Sequence, residues 1–237
     1  MNRVEHIRLE EKRYHDTCYD NYNLFEPGSW LHKPVKSVLD QLEQFADYSL
    51  VNVLDLGSGI GRNSIPIAQS LQGRSGRVVC VDLLQSAIDK LLDYSRQYEV
   101  LPFIDARLSD IEHFVIEPES YDLIVAMSTL EHLSSEQALQ IKLQEVAAGT
   151  KSSGVNCLVI GSNIQEVVMA TNVELDPMFE INLPTDRMLE LLDTQYEGWE
   201  IQKRLVKRLV YEIDRDGQPV RLTSDCITYV AKKSVQE

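Results

Sequence analysis

Apolar positions along the chain fall into short β-branched runs separated by stretches of helical spacing. Leu50-Val51-Asn52-Val53-Leu54-Asp55-Leu56 is a compact run that ends in glycines and reads as a buried parallel strand. A helix is predicted from about residue 62 to 71, stopped by Gly73 and Gly76, which tolerate positive φ. The pattern then repeats, with a strand over 77–81, a helix over 86–98 and a weaker strand over 101–107. Residues 121–127 form a strong fourth strand, Ser134 with Gln137 resembles a capping box opening a helix to about Ala148, and 155–160 is a fifth strand. This alternation predicts an α/β fold: a Rossmann-like, mostly parallel sheet flanked by helices on both faces.

The flanking segments read differently. Residues 1–34 are polar and aromatic-rich, an N-terminal arm or lid, and Pro34 suits the first turn of an amphipathic helix built on Val35, Val38, Leu39, Leu42 and Phe45. Residues 161–184 read as irregular, followed by a helix over 185–193. Two β-rich runs, 199–213 and 219–232, flank Asp214-Arg215-Asp216-Gly217, an Asp-Gly hairpin signal, so the chain ends in an antiparallel β-hairpin. Residues 35–237 are thus one domain.

Composition narrows the function. At 43% hydrophobic and 25% charged, the 237 residues suit a globular chain. A net charge of -14 repels phosphate backbones and anionic membrane surfaces, so neither nucleic acid nor membrane is an expected partner. Cys18, Cys80, Cys157 and Cys226 lie far apart with no CxxC pair, which predicts buried free thiols, no metal and a reducing, cytoplasmic setting. The N-terminal stretch has no apolar core of a secretory signal, and no segment has the length of a membrane span.

The strongest chemical feature is Val53-Leu54-Asp55-Leu56-Gly57-Ser58-Gly59-Ile60-Gly61-Arg62-Asn63, a buried strand running into three glycines and a helix. Alone, such a loop is also compatible with a tight turn that binds nothing. Three acids add to it. Asp55 would favour an ammonium group and disfavour a pyrophosphate. Asp82, closing Val78-Val79-Cys80-Val81, can accept hydrogen bonds from two ribose hydroxyls. Asp110 could accept from an adenine amino group while its apolar neighbour Ile111 covers the ring.

Together VLDLGSGIGRN, the acid of VVCVD, LSDI and YDLIVAMSTLEHL resemble the ordered motifs of class I S-adenosylmethionine-dependent methyltransferases, over about residues 50–160. The GRN step, the SWLHKP segment and the terminal hairpin are similar to small-molecule methyltransferases of the tellurite-resistance type. The resemblance implies S-adenosyl-L-methionine as cofactor, S-adenosyl-L-homocysteine as product and a small-molecule acceptor. It further implies a cofactor site at Asp55, Gly57, Ser58, Gly59, Asp82, Leu83, Asp110, Ile111 and Ser128, with the motifs contained in 50–133.

Methyl transfer is an in-line displacement that needs alignment more than a nucleophilic side chain. A base helps with a hydroxyl or a protonated amine, and His132 in Ser128-Thr129-Leu130-Glu131-His132 is the candidate; a packing or capping histidine is the bland alternative. Glu131 reads as structural or solvated, and its spacing from His132 does not suit two metal ligands. Tyr14, Tyr19, Tyr22 and Trp30 belong either to a lid whose aromatic face holds a sulfonium or to a simple hydrophobic anchor, with His15 and His32 at the surface. Met169, Met178 and Phe179 could line the far wall of the acceptor pocket or pack in the core. Lys203, Arg204, Lys207, Arg208, Arg215 and Arg221 read as a solvated face or a docking surface, and the assembly as a monomer or homodimer. Two other functions share these features: a nicotinamide-dependent oxidoreductase, disfavoured by Asp55, the GxGxG spacing and the hairpin, and a catalytically silent S-adenosylmethionine-binding module.

Overall fold

A computed structural model describes residues 3–215 and 217–235. The glycine-flanked run forms β1 (Leu50–Leu56), parallel to β2 (Ser75–Asp82) on one side and to β4 (Tyr121–Met127) on the other. Beyond them β3 (Ile104–Leu108) pairs parallel with β2, and β5 (Thr150–Val168) parallel with β4. The last two strands, β7 (Glu200–Arg215) and β8 (Gln218–Lys232), make the predicted hairpin, and β8 lies antiparallel to β5. The order is β3-β2-β1-β4-β5-β8-β7, with a short β6 (Glu174–Leu175) added to β5. Every residue of β4 is buried, as expected of a central parallel strand covered on both faces.

Strand alternation divides the core in two. Leu54, Leu56, Ile124, Ala126, Leu158 and Ile160 face α5 (Glu136–Gly149) and α6 (Thr185–Gln195). Val51, Val53, Leu123, Val125, Val155 and Cys157 face α2 (Lys36–Leu42), α3 (Ser64–Ser70) and α4 (Gln85–Gln97). The cap of α5 is Ser135, which accepts the Ala138 N–H; Ser134, the predicted cap, donates its hydroxyl and amide to Glu112. The hairpin turn is held by the Gly217 N–H donating to Asp214 Oδ1 at 2.8 Å, and Asp216 lies outside the described residues. Much of the positive charge of the hairpin is spent internally: Arg204 on Asp193, Arg208 on Asp225 and Arg215 on both oxygens of Glu166. Cys18, Cys80 and Cys157 are buried, Cys226 is half-buried, and all are free. No described helix is long and apolar enough to cross a membrane.

Two elements depart from the sequence pattern. Residues 3–21, read only as part of an arm or lid, form a 19-residue helix, α1 (Arg3–Asn21). Residues 161–168, expected to be irregular, continue β5. A register shift between Ser162 and Gln165, with Asn163 at φ 47°, bends the strand, and it then pairs with β8 to its end. Met127 is level with Val159, so this continuation projects past the carboxyl end of β4.

Candidate active site

The strand order reverses between β1 and β4, which makes the crevice at their carboxyl ends the switch point of the sheet, where open α/β sheets bind ligands. The loops after β1 and β4 flank it. Gly57 has φ 70°, and a Cβ there would lie 2.3 Å from Thr129 Oγ1, so only glycine lets the two loops touch. Ser128 also has positive φ, 53°, a strained conformation for a residue with a side chain.

Asp82 organises the glycine loop. Its Oδ2 accepts the Gly59 N–H at 2.8 Å and its Oδ1 the Leu84 N–H at 2.9 Å, while the Gly57 and Ser58 amides donate to Val81 O. Burial raises the Asp82 pKa, and the amide donors oppose the rise. Asp55 shares its strand face with Val51 and Val53, so its buried carboxylate meets α3, where Ser64 Oγ donates to Oδ2 at 2.5 Å. Burial pushes Asp55 up to about 7 against the Ser64 bond and the charge of Arg62, and the charge of Asp82 adds to the rise. Past β3, Asp110 Oδ1 accepts the Glu112 N–H and its Oδ2 pairs with Arg8 at 2.9 Å. Ile111 is packed into the core, whereas Leu83 is 47% exposed.

The helix missed by the sequence pattern lies across this crevice. Arg8 reaches Asp110 and, at 3.6 Å, Glu180; Asp16 accepts from Ser86 Oγ; Lys90 Nζ donates to Tyr19 O. The Tyr19 hydroxyl stands 3.1 Å from where a Gly59 Cβ would be. Tyr19, His15 and Trp30 form an aromatic cluster, and the Arg62 guanidinium sits 4.9 Å over the Trp30 ring while donating to its carbonyl. His15, expected at the surface, is half-buried and borders the site through this cluster. Arg8 and Glu180 escape a motif reading, whereas Tyr19, among the N-terminal aromatics, and Arg62, in the GRN step, carried a signal.

His132 lies between carboxylates. Its Nδ1 is 2.9 Å from Glu180 Oε2, and its ring stacks on Phe179 with centroids 5.3 Å apart. Burial alone would lower the imidazole pKa; the Glu180 hydrogen bond and the charges of Glu11 and Glu131 outweigh it and push it up to about 9. Glu131 is buried, and its Oε1 accepts the Gly161 N–H at 2.9 Å. Phe179 faces the site, while Met169 is exposed beside the projecting end of β5.

Four polar atoms around the crevice, Ser58 Oγ, Arg62 Nε, His15 Nδ1 and Glu131 Oε2, are buried without a hydrogen-bond partner. Buried polar atoms in folded proteins are nearly always paired, so this border is suited to a polar ligand.

The description of one family model, methyltransferase domain, matches residues 53–154, a stretch holding the glycine loop, all three strand-end acids and His132. Residues 53–154 thus match a methyltransferase domain. Solved methyltransferases share its fold. TehB from Haemophilus influenzae superposes with a TM-score of 0.64 at 20% identity, over 94% of this chain and 67% of that one. A SAM-dependent methyltransferase of Methanosarcina mazei gives 0.56 at 14% identity, over 86% of this chain and 100% of that one. Phosphoethanolamine N-methyltransferase 1 of Haemonchus contortus, solved with phosphoethanolamine and S-adenosylhomocysteine, gives 0.57 at 15% identity, over 96% of this chain and 50% of that one. No curated protein matches the sequence. The matched stretch runs from β1 to the start of β5 and holds the loops that flank the crevice, while α1 and the hairpin lie outside it.

Proposed function

We propose that the protein is an enzyme that moves the methyl group of S-adenosylmethionine to a small-molecule acceptor in this crevice. The observation that carries the reading is the Asp82 carboxylate at the tip of β2, fixed against a positive-φ glycine loop in which Ser58 Oγ has no partner. Asp82 is placed to hold the ribose, Leu83 and Ile111 to bound the adenine, and Asp110 to accept from its amino group. Gly57, Ser58, Gly59 and Ser128 leave the main chain open to the methionine end, which Asp55 favours from beneath the loop by its charge. The cofactor, when bound, supplies an electrophilic carbon; the chain aligns the acceptor and keeps water out. Helix α1 serves as the lid, because it pairs with Asp110 and covers Gly59, two places the cofactor needs.

His132 is placed to handle the acceptor's proton. Surrounded by Glu11, Glu131 and Glu180, it keeps its own proton at neutral pH and becomes a base as the pH approaches 9. Four unpaired cysteines fit a cytoplasmic enzyme. Isothermal titration with S-adenosylhomocysteine, and NAD as control, tests the reading. Micromolar or tighter binding of the former alone is expected, and binding of NAD alone overturns it.

A further inference from the structure

The space around His132 is short of positive charge. The carboxylates facing it come from three elements: Glu11 from α1, Glu131 after β4 and Glu180 before α6, with Asp110 at its border. The cations opposite are Arg8, His132 and Arg215. Arg215 is spent on both oxygens of Glu166, and the short contact of Arg8 goes to Asp110, leaving 3.6 Å to Glu180. His132 takes Glu180, and Glu11 has only His15, at 3.4 Å. Among the described residues Glu131 forms no ion pair. Its side chain is almost fully buried, one oxygen accepts a single backbone N–H, and the other accepts nothing. Its electrostatic coupling to both His132 and Glu11 places it on the same space.

Resting on the methyltransferase reading, we propose that this space is the acceptor subsite and that it takes a primary or secondary amine, bound as its ammonium by Glu131, with Glu11 and Glu180 around it. Before transfer the ammonium would give one N–H proton to the free oxygen of Glu131; the nitrogen lone pair would then bond to the methyl carbon as its bond to sulfur breaks, with S-adenosylhomocysteine as the leaving group. An ammonium brings both things the cluster lacks: a positive charge, and N–H donors for the free oxygen of Glu131. A hydroxyl brings a donor without the charge, a quaternary amine the charge without a donor, and a carboxylate adds to the excess. The subsite lies past the end of β4, beside Gly161 of β5 and away from Asp82 on β2, so donor and acceptor would approach from the two sides of the switch point.

The test is calorimetric titration of the full chain, first with S-adenosylhomocysteine, then of the saturated protein with phenethylamine, phenethyl alcohol and hydrocinnamate. The amine is expected to bind about tenfold or more tighter than the alcohol, and the carboxylate weakest. Glu131→Gln keeps an acceptor for the Gly161 amide and is expected to cut amine affinity about tenfold while leaving S-adenosylhomocysteine affinity within about twofold, which also shows that the variant is folded. Glu180→Gln is the second variant, with a smaller loss expected. Equal affinity for amine and alcohol, preference for the carboxylate, binding of none of the three by protein that binds S-adenosylhomocysteine, or an unchanged amine affinity in both variants overturns the subsite. Failure to bind S-adenosylhomocysteine itself removes the methyltransferase reading beneath it.

Discussion

Arg8→Ala tests the lid. The guanidinium makes one short charged hydrogen bond, 2.9 Å to Asp110, and a 3.6 Å contact to Glu180, with the Arg8 side chain 32% exposed and that of Asp110 16% exposed. A charged hydrogen bond contributes about 1.5–3 kcal/mol, and partial exposure reduces this to about 1–2 kcal/mol. Other contacts hold the rest of α1: the buried side chains of Ile7, Cys18 and Tyr19, the Asp16–Ser86 bond and Lys90 on the Tyr19 carbonyl. The helix therefore stays folded and docked at its Tyr19 end while its Arg8 end opens more often. If cofactor enters only through the open form, the apparent association rate and affinity scale with the open fraction, so they rise by about 5–30-fold until the open form dominates. Stopped-flow fluorescence is a direct assay, because Trp30 packs against Tyr19 and His15 beneath the lid. A folded Arg8→Ala protein that takes up S-adenosylhomocysteine no faster than the parent would refute the argument that Arg8 competes for the place of the adenine.

Other outcomes follow from the same geometry. Asp82→Asn removes the charge that orders the glycine loop, and calorimetry should show S-adenosylhomocysteine affinity falling by about 10–100-fold; an unchanged affinity moves the ribose elsewhere. The His132 pKa is raised from 6.5 to about 9 on folding, so its contribution to stability, about 3 kcal/mol, is complete below pH 6.5 and lost as pH rises through 9. Urea titrations of the parent and His132→Gln should converge at high pH, and a constant gap between them contradicts the assignment. Asp55 is an acid with its pKa raised to about 7, so the folded protein loses stability relative to the unfolded chain as pH climbs from 3.8 through 7. Asp55→Asn should therefore gain on the parent over that interval, by about 2–4 kcal/mol at most, and denaturation curves that shift equally at both ends rule this out.

The parallel half of the fold was legible because its signals are local. Tyr121–Met127 is buried throughout and reads as a central strand, and each acid of the site stands within two residues of a strand's carboxyl end. Helix α1 was hidden for a physical reason. Its inward stripe is Ile7, Glu11, His15, Cys18 and Tyr19, and a helix that turns polar groups toward a site shows no apolar face to read. The far end of β5 was hidden by Gly161-Ser162-Asn163, which has the composition of a turn and is a bulge that bends the strand without ending it. The direction of Asp55, by contrast, was present in the period-two pattern: it alternates with Val51 and Val53, and so meets the helix packed on that face. Its pairing with Ser64 depends on that packing, which a motif does not contain.

The polar inward stripe of α1 has a consequence for how such an enzyme changes. Glu11 sits on one continuous segment of 19 residues that contributes no strand to the sheet, as do its neighbours on that stripe. Exchanging those side chains alters what stands over the crevice without repacking β1, β2 or β4. Selectivity for the acceptor is thus portable: it can drift, or be engineered, in a detachable stretch of sequence while the machinery that handles the methyl donor stays as it is.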